Sequence, residues 1–395
     1  MQISQFLPEK TFVRRSQLRL LSLLLLLTLL ILGSSGSVFA QGSNHNDDHG
    51  QNAGAVYVMN NDATDNAIIV FDRAADGTLA ESGTFSTGGQ GTGSGLGSQG
   101  AIALSRNRQW LFAVNAGSNE ISVFNARGRN LNLVDTVPSG GEMPTSLTVH
   151  GRILYVLNAG GSGNITGFYI GRHGHLFPIP HSTRNLSNDG TGAAPGPAQV
   201  SFTPNGRQLV VTEKATNLIL TYRIRGFGRA LDPVVHDSEG QTPFGFDFTP
   251  RGVLIVSEAF GGAENASAAS SYSLKHGQLQ AISSSVPTNQ TAACWVVVTK
   301  DGKYAYTTNT GSSSVSGYQV NHDGSISLLD ASGVTGETGP GSKPIDAIIS
   351  RNGRYLYVLS SGSYTVTAFH IGDDGSLVNL GDVTVPAGTV GITAN

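Results

Sequence analysis

The sequence predicts an all-β fold: a seven-bladed β-propeller with four antiparallel strands in each blade. Three observations predict it. A short alternating segment of the form x-Leu-Tyr-Val-x-Asn recurs seven times. Each copy has neighbours of fixed type, so the repeating unit is about 45–50 residues long, the size of one blade. The first copy lacks a strand that the end of the chain supplies.

The repeated segment ends on Asn60, Asn115, Asn158, Glu213, Glu258, Asn309 and Ser360. We call it strand B. Ahead of it lies an apolar run, strand A, closed by a tight turn, as in "VSFTPNGRQ" and "AIISRNGRY". Pro presets φ in such turns, and Asn-Gly or Asp-Gly supplies the positive φ that a hairpin needs. After strand B comes strand C, for example "NAIIVFDR" or "NLILTYRI". A second turn, "ADGTL", "HDGSI" or "DDGSL", leads into strand D. The first unit begins at strand B, while the orphan segment "GTVGITAN" follows the last D strand. Pairing that orphan with the first blade closes the ring and leaves no open inner edge.

The bulk numbers agree. The chain has 395 residues, 52 of them Gly, only 13% charged, with a net charge of −3. Such a profile suits many short strands and turns, and one large β domain of this length is ordinary. The mild negative charge argues against nucleic acid as a partner. The single Cys294 excludes an intrachain disulfide, so core and sheets must hold the fold.

Residues 1–40 read as a secretory signal peptide. Lys10, Arg14, Arg15 and Arg19 precede a leucine-rich run from Leu20 to Leu32, and small residues at Val38 and Ala40 suit cleavage after Ala40. The apolar run is too short to span a bilayer comfortably. Residues 41–53 read as a disordered polar lead, its His45, Asp47, Asp48 and His49 lacking a scaffold to fix a metal. The propeller occupies residues 54–395. A secreted or periplasmic monomer follows, with no membrane association once the signal is removed.

In this fold the A–B and C–D turns share one face, and the B–C loops and D-to-A crossovers share the other. The first set is short and uniform. The second varies in length, as in "STGGQGTGSGLGSQG", "NLSNDGTGAAPGPAQ" and "EAFGGAENASAASS". Variable loops on a constant scaffold carry function, so the crossover face is the expected active face. The B-strand ends reach it as a ring. Five members are neutral, and two adjacent blades bring Glu213 and Glu258, a pair suited to general acid–base work or to holding a cation. The A-strand ends bring Gln99, Thr145, Gln199, Phe244, Cys294 and Asp346 to the axial mouth. "GTGSGLGSQG" has dinucleotide-like Gly spacing, but no helix follows it.

These strands resemble the seven-bladed propeller lactonases, the group that includes 6-phosphogluconolactonase and the 3-carboxymuconate cyclases. The likeness spans residues 54–395 and rests on "LYVLNAG", "LYVLSSG", the Phe-x-Pro-Asn-Gly-Arg turn at 202–207 and the "DDGSL" turn. It implies lactone opening or closing, with a carboxylate at Glu213. The family's basic residue after a Pro is missing: Ala198 and Gln199 follow Pro197. A phosphorylated lactone is therefore disfavoured as substrate. The expected site has Glu213 or Glu258 as base, Gln199 as oxyanion donor, and Asn115, Asn158, Asn309, Phe244 and Asp346 around a small-molecule lactone or carbohydrate. Ca²⁺ or another divalent cation on Glu213 and Glu258 is the alternative mechanism. A non-catalytic propeller that binds a glycan or protein through its long loops is the alternative function.

Overall fold

The computed structural model describes residues 53–127 and 130–395. The expected signal segment and most of the expected polar lead, including His45, Asp47, Asp48 and His49, lie outside the described residues.

The described chain forms seven antiparallel sheets arranged as blades. The B strands are Gly54–Met59, Trp110–Asn115, Ile153–Asn158, Gln208–Glu213, Val253–Glu258, Tyr304–Asn309 and Tyr355–Ser360. They are the seven repeated segments of the sequence, the first stopping one residue short of Asn60. Each lies between an inner A strand and a C strand. The outer D strand is continuous in blades 1, 2, 5 and 7 and divided into two short pieces in blades 3, 4 and 6.

The ring closes as the orphan strand predicted. Val390–Ala394 pairs antiparallel with Gly54–Met59, with Val56 opposite Ala394 and Val58 opposite Ile392. Asn395 adds a clasp. Its Oδ1 accepts from the Ala55 N–H at 2.8 Å, and its Nδ2 donates to the Tyr57 hydroxyl at 3.1 Å.

B strands are buried along nearly their whole length because both faces pack against neighbouring blades. Leu111, Val156, Val211, Val256 and Leu359 are all fully buried or within a percent of it. This explains their apolar runs: a two-sided strand reads as nearly continuous hydrophobicity.

The inner edges of the A strands need partners, because no further strand covers them. Side chains from the preceding blade supply several. Ser146 and Thr148 hydroxyls accept from Val200 and Phe202 N–H groups at 3.1 and 3.2 Å. Gln199 accepts from the Phe246 N–H at 2.7 Å and donates to its carbonyl at 3.0 Å. Asp247 accepts from the Val298 N–H at 2.9 Å.

Burial around the axis pushes the Asp247 carboxyl up to about 6 and moves Asp346 in the same direction. The folded state then holds a proton on Asp247 between about pH 4 and 6 where the unfolded chain does not. That stabilisation, up to about 3 kcal/mol, is complete below about pH 4 and fades as pH rises through about 6. The urea midpoint is therefore expected to fall across this window, and less steeply in Asp247→Asn. An equal slope in the two proteins would refute the assignment.

Candidate functional site

The crossover face holds the variable loops, and the axial mouth opens at its centre. Just before the A strand, blades 3, 5, 6 and 7 place a non-glycine residue in the left-handed region. These are Met143 (φ 52°), Thr242 (57°), Ala292 (57°) and Lys343 (52°). Each carbonyl accepts from the residue after the B strand of the same blade, for example Ala159 N–H on Met143 at 2.9 Å and Ser361 N–H on Lys343 at 3.0 Å. The uncommon conformation is repeated because it turns the crossover sharply into the inner strand.

The mouth is closed by the chain's own backbone. The crossover from blade 1 to blade 2 dips into it around Gly97, Ser98 and Gln99. The Gln99 N–H donates to the Ala198 carbonyl of blade 4 at 3.0 Å. Its amide reaches across to blade 6, donating to the Val296 carbonyl at 2.8 Å and accepting from the Val296 N–H at 3.2 Å. Ser98 donates to the Thr145 carbonyl of blade 3 at 2.8 Å. Gly245 is glycine because a Cβ there would stand 2.2 Å from Gln99 Oε1 and 2.7 Å from the Cys294 carbonyl.

Two side chains bind the carbonyls of this plug. Lys214 Nζ donates to the Gly97 carbonyl. Trp295 Nε1 donates to the Ser98 carbonyl at 3.0 Å. Lys214 Nζ lies 4.6 Å from the centroid of the Phe244 ring, and Phe244 and Trp295 pack with centroids 4.8 Å apart. This apolar cradle lowers the Lys214 pKa from its ordinary value, because burial disfavours the ammonium. A cation beside aromatic faces, holding a carbonyl oxygen, is the arrangement that polarises a carbonyl.

Of the residues expected from sequence, Phe244 is at the mouth. Gln199 is near it, its amide oxygen accepting from the Phe246 N–H and one amide N–H donating to the Phe246 carbonyl, which ties it to blade 5. Asp346 is buried at 2% exposure and accepts from the Ala347 N–H at 2.8 Å.

Glu213 and Glu258 are fully buried and separately held. Glu213 accepts from the Ser187 N–H at 3.0 Å and hydroxyl at 2.5 Å, and from Thr216 at 2.8 Å. Glu258 accepts from the Gly240 N–H at 3.0 Å, from Ser285 at 2.7 Å and from the Ser270 hydroxyl. Burial still raises the Glu258 pKa. Each carboxylate ties its strand end to the crossover before it, and these donors share neither carboxylate with the other. Asn115 makes the same kind of tie, accepting from Asn66 and Thr87 at 2.8 and 2.7 Å. Asn158 and Asn309 are likewise fully buried and bonded to Asn164 and to Ser314 and Ser316. The ring of B-strand ends is thus turned into the blades, where it anchors loops. Among the described residues no group of three or more His, Cys, Asp or Glu is placed to hold a metal ion.

Cys294 is buried, and burial pushes its thiol up to about 12, which makes it inert. Lys214 is the site residue that the sequence pattern did not single out. A signal was present: the other residues one place after the B-strand ends are Asn61, Ala116, Ala159, Ala259, Thr310 and Ser361, all uncharged.

Beside the mouth, the loops of blades 5 to 7 enclose an open cleft of about 580 Å³. Thr291, Thr310, Ser312, Ser313 and Lys343 line it.

The seven closed blades define a seven-bladed β-propeller. The sequence matches the family described as Lactonase, 7-bladed beta-propeller over residues 45–182 and 265–391, most of the chain. The chain belongs to that family. The unmatched stretch between them contains blade 4 and the start of blade 5, with Lys214, Phe244, Glu213 and Glu258. No curated protein matches the chain. Among solved structures, a protein from Lactobacillus plantarum has a TM-score of 0.69 at 19% identity, covering 87% of this chain and 99% of that one. A candidate 6-phosphogluconolactonase of Bacteroides uniformis has 0.68 at 18%, covering 87% and 100%. The periplasmic gluconolactonase PpgL of Pseudomonas aeruginosa has 0.64 at 17%, covering 86% and 99%. At these identities the likeness is one of fold.

Proposed function

We propose that this protein is an exported lactonase-type enzyme that opens or closes the ring of a small, unphosphorylated lactone at the axial mouth. The observation that carries the reading is the Lys214 ammonium, which already binds a carbonyl oxygen against the Phe244 ring inside a lactonase-family propeller. The lactone carbonyl takes the place of the Gly97 carbonyl on Lys214 Nζ, with the Trp295 indole N–H, now on the neighbouring Ser98 carbonyl, beside it. As the ring carbonyl turns tetrahedral its oxygen gains negative charge, and a preorganised cation favours that state over the ground state. Ala198 and Gln199, where the family resemblance expects a basic residue, leave a phosphate without a clamp at that position. Residues 1–40 address the chain for export, and the mature chain begins at Gln41, which N-terminal sequencing reads directly.

The test is turnover of a panel of sugar and aliphatic lactones, followed by proton release. Hydrolysis of at least one above the spontaneous rate is expected, and none would sink the enzymatic reading. The hydroxyl-lined cleft of blades 5 to 7 favours the second reading, a glycan-binding propeller. Saturable binding of an oligosaccharide without turnover of any lactone would support it.

A further inference from the structure

We propose that the hairpin-turn face of blades 3 to 5 docks on an anionic lipid surface, with Phe227 as the inserting side chain. The proposal rests on charge and exposure at the end of the ring opposite the axial mouth, and it is independent of lactone chemistry.

The A–B and C–D turns of these blades carry Arg152, Arg172, Arg207, Arg225, Arg229 and Arg251, all exposed. The same turns contain no Asp or Glu. The ion pairs among the described residues are His175 with Asp135, Arg184 with Asp232 and Lys303 with Asp301, so none of the six arginines is paired with a carboxylate. The matching turns elsewhere differ: blade 1 brings Asp76, blades 6 and 7 balance Lys300, Lys303, Arg351 and Arg354 against Asp301, Asp323, Asp373 and Asp374, and only blade 2, with Arg106, Arg108 and Arg127, extends the basic arc. The positive charge is therefore concentrated in one arc, which a net charge of −3 conceals.

Phe227 sits at the tip of the blade 4 turn, between Gly226 and Gly228 and between Arg225 and Arg229. It is 99% exposed, in the left-handed region at φ 61°. Nothing in the fold needs a large apolar side chain there, since it touches no core. Beside the Arg172 turn, Tyr169 and Phe177 face each other across blade 3 and are 42% and 56% exposed. Aromatic side chains interleaved with arginine suit the headgroup region of a bilayer, where the ring enters the acyl boundary and the guanidinium stays with phosphate. A soluble polyanion would engage the arginines but give Phe227 no apolar medium to enter. The crossover face is acidic, with Asp62, Asp65, Glu142, Glu239, Glu264 and Glu337 exposed. An anionic surface therefore repels that face and leaves the axial mouth turned toward solvent.

The test is co-sedimentation of residues 41–395, which contain the whole closed ring, with lipid vesicles. Binding is expected to phosphatidylglycerol–phosphatidylcholine vesicles and not to phosphatidylcholine alone, and it should weaken as salt is raised. Arg225→Ser and Arg229→Ser should each weaken it about fivefold. Phe227→Asn, which keeps the left-handed turn, should weaken it severalfold with the melting temperature unchanged. The proposal is overturned by absence of binding, by equal binding to neutral vesicles, or by variants that bind like the parent. It is equally overturned if soluble polyphosphate binds as tightly as the anionic vesicles and is indifferent to Phe227→Asn, which marks a polyanion site instead.

Discussion

Deleting residues 387–395 is expected to abolish cooperative folding. The deletion removes the inner strand of blade 1 and leaves Gly54–Met59 with an open edge. It also uncovers the faces that buried Val390 and Ile392 cover, each side chain contributing about 1.5–3 kcal/mol. The Asn395 clasp and the Asp346 contact to this strand go with them. The sum is comparable to the whole stability of a domain, about 5–15 kcal/mol. Blades 1 and 7 would then meet across a gap, and an exposed strand edge invites association between chains. A shortened protein that melts in one transition at the parent temperature would show that the ring does not depend on this closure.

Lys214→Met is expected to lower lactone turnover by about 10²–10³-fold, the usual loss when one donor to a developing oxyanion is removed. Met keeps an unbranched stem against Phe244, so the fold should survive. The loss should appear in kcat, since the donor acts mainly on the tetrahedral state. The same residue sets an alkaline limb. Burial holds its pKa below the ordinary lysine value, so turnover should decline with rising pH sooner than an ordinary lysine would allow. Lys214→Arg, always charged, should remove that limb while keeping part of the rate. Full activity in Lys214→Met would discard the proposed role.

The fold was legible because a propeller is written as a repeat. Seven B strands, their Asn-Gly and Asp-Gly turns and the leftover final strand each leave a local mark, and the structure places them accordingly. The site was less legible because its parts are not local. The cradle of Lys214, itself on blade 4, is built from Phe244, Trp295 and the Gly97 carbonyl, contributed by blades 5 and 6 and the crossover after blade 1. Glu213 and Glu258 stood out by charge, but charge alone does not tell which way a side chain turns. Ser187 and Ser285, both far along the chain from their partners' strand ends, claim those carboxylates for the scaffold. The basic arc was hidden in the same way, since a net charge averages over faces that only folding separates.

The plug has a consequence for the order in which the molecule comes into being. Gln99 and Val296 are 197 residues apart, as are Ser98 and Trp295. A growing chain finishes blades 2 to 4 well before Val296 exists. Until then the Gln99 amide has no blade 6 to grip, and Lys214 has no Trp295 beside its aromatic partner. Contacts of such long range form late, after the local hairpins. The mouth thus has no partial form: no fragment of the chain that stops short of blade 6 carries it, and it appears only as the ring nears completion.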